Sequence, residues 1–208
     1  MADSQSGNGR AAAMSPVGVL DRREVLPKLF PNPKDYLFIA GLAGTAKDTA
    51  ALCGDDRNYY CLAGVMGAAA SMGLGLALAR PDKRVVVLTG DGELLMNVGT
   101  LATIAVLNPP NLSIVCVDNG HYGETGYQKS HTSLGVDLEA MATGAGIPVT
   151  RTVTEDGQIA DAAELIRSGN SSSFILLKVK PTDPPKVRRS LDAALSRLQF
   201  IEGLAATR

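Results

Sequence analysis

Val85-Val86-Val87-Leu88-Thr89-Gly90-Asp91-Gly92 is a β-branched run that ends in a carboxylate flanked by glycines. A second run, Leu112-Ser113-Ile114-Val115-Cys116-Val117-Asp118-Asn119-Gly120, places Asn119 at its end, 28 positions after Asp91. Short apolar runs closed by glycine read as buried strands. Between them, Glu93 to Asn108 carries Leu94, Leu95, Val98, Leu101, Ile104 and Ala105 at helical spacing, and Pro109-Pro110 stops it. The stretch is a βαβ unit that brings a carboxylate and an amide oxygen to one edge of a parallel sheet. Open α/β sheets bind ligands at that edge.

The same alternation extends outward. Strands are expected at Tyr36 to Ala40, Val149 to Val153 and Phe174 to Val179. Helices are expected at Asp21 to Phe30, with Asp21 as cap, and at Thr45 to Cys53, Leu138 to Gly146 and Gly157 to Ser168. The predicted fold class is therefore α/β, a doubly wound and mainly parallel sheet with helices on both faces. Residues 1–16, rich in Ser, Gly and Ala, read as a disordered tail. Residues 17–180 form the α/β domain. Residues 181–208 are a Pro-rich linker and an amphipathic helix, whose stripe Leu191, Leu195, Leu198 and Ile201 is expected to dock on the domain or on a partner.

The 208 residues suffice for one α/β domain. A net charge of −1 leaves no basic stripe for nucleic acid or a membrane surface. Aromatics at 4% with no Trp argue against a base-stacking surface. Cys53, Cys61 and Cys116 are scattered and odd in number, which suits reduced thiols in the cytoplasm. No apolar run reaches membrane-spanning length, and no export signal opens the chain.

One carboxylate, one amide oxygen and a backbone carbonyl suit a hard divalent ion whose remaining ligands come from phosphate oxygens. Taken alone, Gly90-Asp91-Gly92 is equally a strand-to-helix turn. A second pattern precedes it: Gly64-Val65-Met66-Gly67, then the small-residue run Ala68 to Ala79. Together with Asp118-Asn119 these stretches resemble the thiamine diphosphate (ThDP) enzymes, in which Gly-Asp-Gly is followed by an asparagine pair. Here the first asparagine is an aspartate, and the second, the family's metal ligand, is kept.

The resemblance implies that Asp91, the Asn119 side chain and the His121 backbone carbonyl bind Mg²⁺. It implies that Gly64 accepts from the cofactor's 4′-amino group and that Met66 wedges between its rings, against the alternative that Met66 fills a core gap. Val65, Gly90, Gly92, Glu93, Tyr122 and Gly123 complete the implied cofactor-binding set. Across Leu20 to Lys180 the chain resembles the sulfopyruvate decarboxylase β subunit and the matching half of phosphonopyruvate decarboxylase. It departs from them at Glu124, Tyr127 and Gln128 to Thr132.

The activity implied by the resemblance is non-oxidative decarboxylation of a small anionic 2-oxo acid. Only diphosphate-domain signatures are present, so a pyrimidine-domain (α) subunit carrying the activating glutamate is implied, in an α2β2 or larger assembly. His131 in a polar loop is a candidate catalytic residue, and a solvated loop is the alternative. Lys129 and Glu124 are open in the same way. Tyr122-Gly123-Glu124-Thr125-Gly126-Tyr127-Gln128 also resembles the β subunit of 2-oxoacid:ferredoxin oxidoreductases, and a non-catalytic scaffold with this fold is a third reading.

Overall fold

The computed structural model describes residues 18–206, so the expected tail at 1–16 lies outside the described residues. Six strands form one all-parallel sheet: β1 (Tyr36–Ala40), β2 (Tyr59–Cys61), β3 (Arg84–Gly90), β4 (Leu112–Asp118), β7 (Val149–Val153) and β8 (Ser173–Lys178), in the order β2-β1-β3-β4-β8-β7. Two short strands, β5 (His121–Tyr122) and β6 (Gln128–Lys129), form a separate antiparallel hairpin beside the sheet. The three residues of β2 escape the sequence reading, being too short for a periodic signal.

Strand side chains alternate between two cores, as the strand period requires. Leu37, Ile39, Val85, Val87, Ile114 and Cys116 face one cluster, which includes residues of α3 (Ala69–Ala79), α5 (Thr100–Leu107) and α6 (Leu138–Ala145). Phe38, Val86, Leu88, Val115 and Val117 face the other, with α1 (Arg22–Leu29), α7 (Ile159–Ser168) and Cys53 at the end of α2 (Gly44–Cys53). All seven residues of β4 are buried, which is why the strand reads as a continuous apolar run. Asp21 caps α1 by accepting from the Arg23 amide at 2.9 Å, as expected.

Two expectations need correction. The single helix over Glu93 to Asn108 is two: α4 (Asp91–Leu95) and α5, separated by a tight turn. There the amides of Met96, Asn97 and Thr100 donate to the carbonyls of Glu93, Leu94 and Asn97, each at 3.1 Å, three residues back instead of four. Asn97 and Gly99 are weak helix formers, and the Gly67 turn presses on the break, where a Cβ on Gly67 would lie 2.9 Å from Met96 Cβ.

The second concerns the end of the chain. Leu191, Leu195, Leu198 and Ile201 are exposed and do not dock on the domain, so of the two expected docking sites only a partner is left. The inward face of α8 (Ala193–Ala206) is instead made by Phe200 and Leu204, with Phe200 against Tyr60 at a ring separation of 6.2 Å. Helical phase alone does not say which of two apolar stripes meets the sheet edge.

Helix α3 lies close on β3 because Gly73 has no side chain: a Cβ there would run into Val87 Cγ2. Gly73→Ala is expected to cost about 1–3 kcal/mol through overpacking, lowering the melting temperature by roughly 2–4 °C per kcal/mol. A Cβ on Gly75, in the same helix, meets nothing within 4 Å. Gly75→Ala should raise stability by about 0.5–1 kcal/mol. Equal melting shifts in the two variants would contradict the close α3–β3 approach.

Candidate functional site

Strand β1 leads leftward to β2 while β3 leads rightward to β4, so the sheet has its switch point between β1 and β3. A cavity of about 440 Å³ opens there, at the C-terminal ends of the strands. That volume lies in the range of small-molecule sites. Gly90, Asp91, Gly92 and Glu93 line it from the end of β3, and Asn119, His121, Tyr122 and Gly123 from the end of β4 and the hairpin. Met66 lines it from the turn before α3. It is 41% exposed, which sets aside the core gap-filling alternative. Gly64 and Val65 are exposed and outside the lining, Gly64 with the left-handed φ of 83° that favours glycine. His131 is exposed and does not line the cavity, nor does Lys129.

Asp91 is buried, and both its hydroxyl contacts fall on Oδ2: Ser130 Oγ donates to it, and Thr132 Oγ1 lies 3.1 Å away. Burial first, and then the neighbouring Asp118, push its carboxyl above the usual range, against the hydroxyls. Glu93, two residues on, is buried with Oε1 lacking a hydrogen-bond partner. Burial raises its carboxyl too, opposed by the Thr89 hydroxyl and by the amides of Gly90, Leu42 and Gly67. Asn119 Oδ1 accepts from the His121 amide at 3.0 Å. The His121 ring is engaged locally, Nδ1 lying 2.9 Å from the Asn119 carbonyl oxygen.

Charge balance tests whether a cation belongs here. The buried carboxylates Asp48 and Asp118 have buried cations, Arg22 and Lys178, whereas no ion pair forms at Asp91 or Glu93 among the described residues. The uncompensated negative charge is therefore buried at the cavity wall. A divalent ion bound there would supply the missing countercharge. No group of three or more His, Cys, Asp and Glu side chains forms a metal cage among the described residues. An ion at Asp91 and Asn119 would have to draw further ligands from its own partner, as Mg²⁺ does with phosphates.

Three features of the wall escape the sequence reading. The turn at Leu42 and Ala43 after β1 and the first residues of α2, Gly44 and Thr45, line the cavity, with Ala43 at φ 62°. The signal was available, since a strand-to-helix loop of small residues leaves the sheet at the same edge as Gly90-Asp91-Gly92. Thr182, Asp183 and Pro184, read as linker, close another side. Tyr127 fastens them by donating from its hydroxyl to Asp183 at 2.7 Å, its backbone held at φ 59°. Lastly, Arg22 reaches the cavity from α1 and pairs with Asp48 of α2, its Nε 3.1 Å from each carboxylate oxygen.

Fold and site together define a thiamine pyrophosphate-binding domain. Residues 43–179 match the C-terminal TPP-binding domain of thiamine pyrophosphate enzymes, and the chain belongs to that family. It is 40% identical over 132 residues to sulfopyruvate decarboxylase subunit beta of Methanocaldococcus jannaschii, covering 63% of this chain and 69% of that one. It is 32% identical over 173 residues to phosphonopyruvate decarboxylase of Streptomyces viridochromogenes, covering 83% of this chain and 42% of the other. It thus spans under half of that longer enzyme. Among solved structures, the thiamine diphosphate-dependent 4-hydroxybenzoylformate decarboxylase of Rhodococcus jostii superposes with a TM-score of 0.67 at 21% identity, over 84% of this chain and 35% of that one. That likeness is one of fold.

The Arg22–Asp48 pair is buried on both sides, so removing one partner strands the other. Arg22→Met is expected to destabilise the chain by about 3–5 kcal/mol, read as a lower midpoint in urea. Arg22→Met with Asp48→Asn should recover much of that loss. A double variant as unstable as the single would show that packing, not charge, dominates.

Proposed function

We propose that this chain is the diphosphate-binding (β) subunit of a ThDP- and Mg²⁺-dependent non-oxidative decarboxylase. Its substrate is a 3-substituted 2-oxo acid such as sulfopyruvate or phosphonopyruvate, converted to an aldehyde and CO₂. The observation that carries the reading is the convergence of Asp91, Asn119 and Met66 on one cavity at the switch point of the sheet. Asp91, the Asn119 side-chain oxygen and the His121 carbonyl would hold Mg²⁺. The glycine-flanked turn at Gly90 and Gly92 and the stretch Leu42 to Thr45, where α2 begins, would receive the diphosphate. Met66 would set the conformation of the rings. Bound ThDP supplies the carbon nucleophile and the electron sink for loss of CO₂.

A partner supplying the pyrimidine-side glutamate is in keeping with relatives that bear the name subunit beta. Helices α3 and α5 support it physically. Neither has a charged residue, and their outward faces expose Met72, Leu78, Val106 and Leu107. Helices apolar on all sides are normally covered. We place the assembly in the cytoplasm, where the three free thiols would stay reduced. No helix among the described residues is long and apolar enough to cross a membrane.

A second reading, the β subunit of a 2-oxoacid:ferredoxin oxidoreductase, draws on Tyr122 to Gln128, all but Gly126 of which line the cavity. Its iron–sulfur chemistry needs thiolates. Cys53, Cys61 and Cys116 form no group of ligands among the described residues, which favours the non-oxidative reading. A non-catalytic scaffold would bind no cofactor.

Asp91→Ala should abolish Mg²⁺-dependent ThDP binding in calorimetry while leaving the far-ultraviolet dichroism of the chain unchanged. Parent-like affinity in this variant would remove the metal assignment. The chain alone should release no CO₂ from sulfopyruvate or phosphonopyruvate, and should do so when co-expressed with a pyrimidine-domain subunit. Robust turnover by the partner-free chain would overturn the subunit reading, with Glu124 the first alternative base to test.

A further inference from the structure

Asp91 and Asp118 end adjacent strands, both are buried, and the hydroxyl of Thr132 stands between them, 3.1 Å from Asp91 Oδ2 and 2.7 Å from Asp118 Oδ1. A hydroxyl has one proton to donate. The shorter contact directs it to Asp118, leaving Ser130 as the donor to Asp91. Asp118 Oδ1 also accepts from the Gly120 amide at 3.0 Å, and Lys178 donates to Oδ2 at 2.6 Å from the neighbouring position on β8. The ammonium and carboxylate side chains are 10% and 1% exposed, so the pair is shielded from solvent.

Without Lys178, two buried negative carboxylates linked by one hydroxyl would compete for any cation in the cavity. With it, both Asp118 oxygens are engaged and its charge is compensated. We propose that Lys178 is a positioning residue for the metal site. It retains Asp118 on the β4–β8 side, so that Asp118 orders Thr132 and the loop at Gly120 while Asp91 alone offers its carboxylate to the ion. The aspartate at position 118 and the lysine at 178 are then one unit, neither useful without the other. This inference rests on the proposed Mg²⁺ site at Asp91.

The test is calorimetric binding of ThDP with and without Mg²⁺ to the full-length chain assembled with its co-expressed pyrimidine-domain partner, paired with thermal melting, for the parent and four variants. Lys178→Arg keeps the charge and should retain parent-like affinity. Lys178→Met should weaken Mg²⁺-dependent binding by about 10- to 100-fold, as loss of a partner that orients a metal ligand does. Asp118→Asn strands a buried cation near the site and should weaken it comparably, whereas Asp118→Asn with Lys178→Met should return it to near the parent. A merely structural pair would lower the melting temperature in both single variants without moving the affinity of the folded protein. That outcome, or a double variant no better than Asp118→Asn, overturns the proposal. Should Lys178→Met fail to fold, the comparison of Asp118→Asn with the double variant decides. A parent assembly, chain and partner together, that binds no Mg²⁺-ThDP refutes the metal site itself and this inference with it, a result distinct from parent binding left intact by every variant.

Discussion

The parallel pairing of β3 with β4 runs from Val85 opposite Leu112 to Gly90 opposite Val117, and it delivers Asp91 and Asn119 to one edge. Both faces of this pair are buried, with Val87 and Ile114 in one core and Val86 and Val115 in the other. A slip of one residue would exchange the two faces of a strand and empty both clusters. Register is thus fixed by packing, and the position of the candidate ligands is fixed by register. The helices α3 and α5 on one side and α1 and α7 on the other cover a sheet whose functional edge is already determined.

Charge is handled differently at the two levels of the fold. Where the structure needs a buried carboxylate for architecture, it supplies a cation: Arg22 for Asp48, tying α1 to α2, and Lys178 for Asp118, tying β8 to β4. Such pairs do little for net stability compared with apolar replacements, yet they are costly to break singly and so specify arrangement. At the cavity the pairing stops. Asp91 and Glu93 are buried with raised carboxyls and no ion pair among the described residues, a condition tolerable where a ligand cation completes the balance. Bent backbone accompanies it: Ala43 and Tyr127 both take positive φ at the cavity wall, where strain of this kind tends to be retained.

The chain's own residue order made the six-strand plan largely legible. Continuous runs such as Val85 to Leu88 and Leu112 to Val117 are what strands buried on both faces require, and the first strand at Tyr36–Ala40 has the expected bounds. Asp91, Asn119 and Met66 stand out because local motifs hold them at strand ends and turns. Val65 and His131 do not line the cavity, since proximity in sequence to a motif says nothing about which way the next side chain points.

Local sequence thus determined most of the elements and marked Asp91 and Asn119 as candidate metal ligands, because backbone propensity and apolar period act over a few residues. Tertiary structure placed the Gly67 turn against the weak helix formers Asn97 and Gly99 at the break, and it alone decided the choice of Phe200 over Leu198 as the docking side of α8. It alone brought Leu42 to Thr45, Tyr127 and Thr182 to Pro184 to one cavity, and Lys178 to Asp118, 60 positions earlier. Contacts between residues so far apart arise only once strand order and register are set. The energies that select them, burial and charge compensation, belong to the folded interior and leave no periodic trace in the chain.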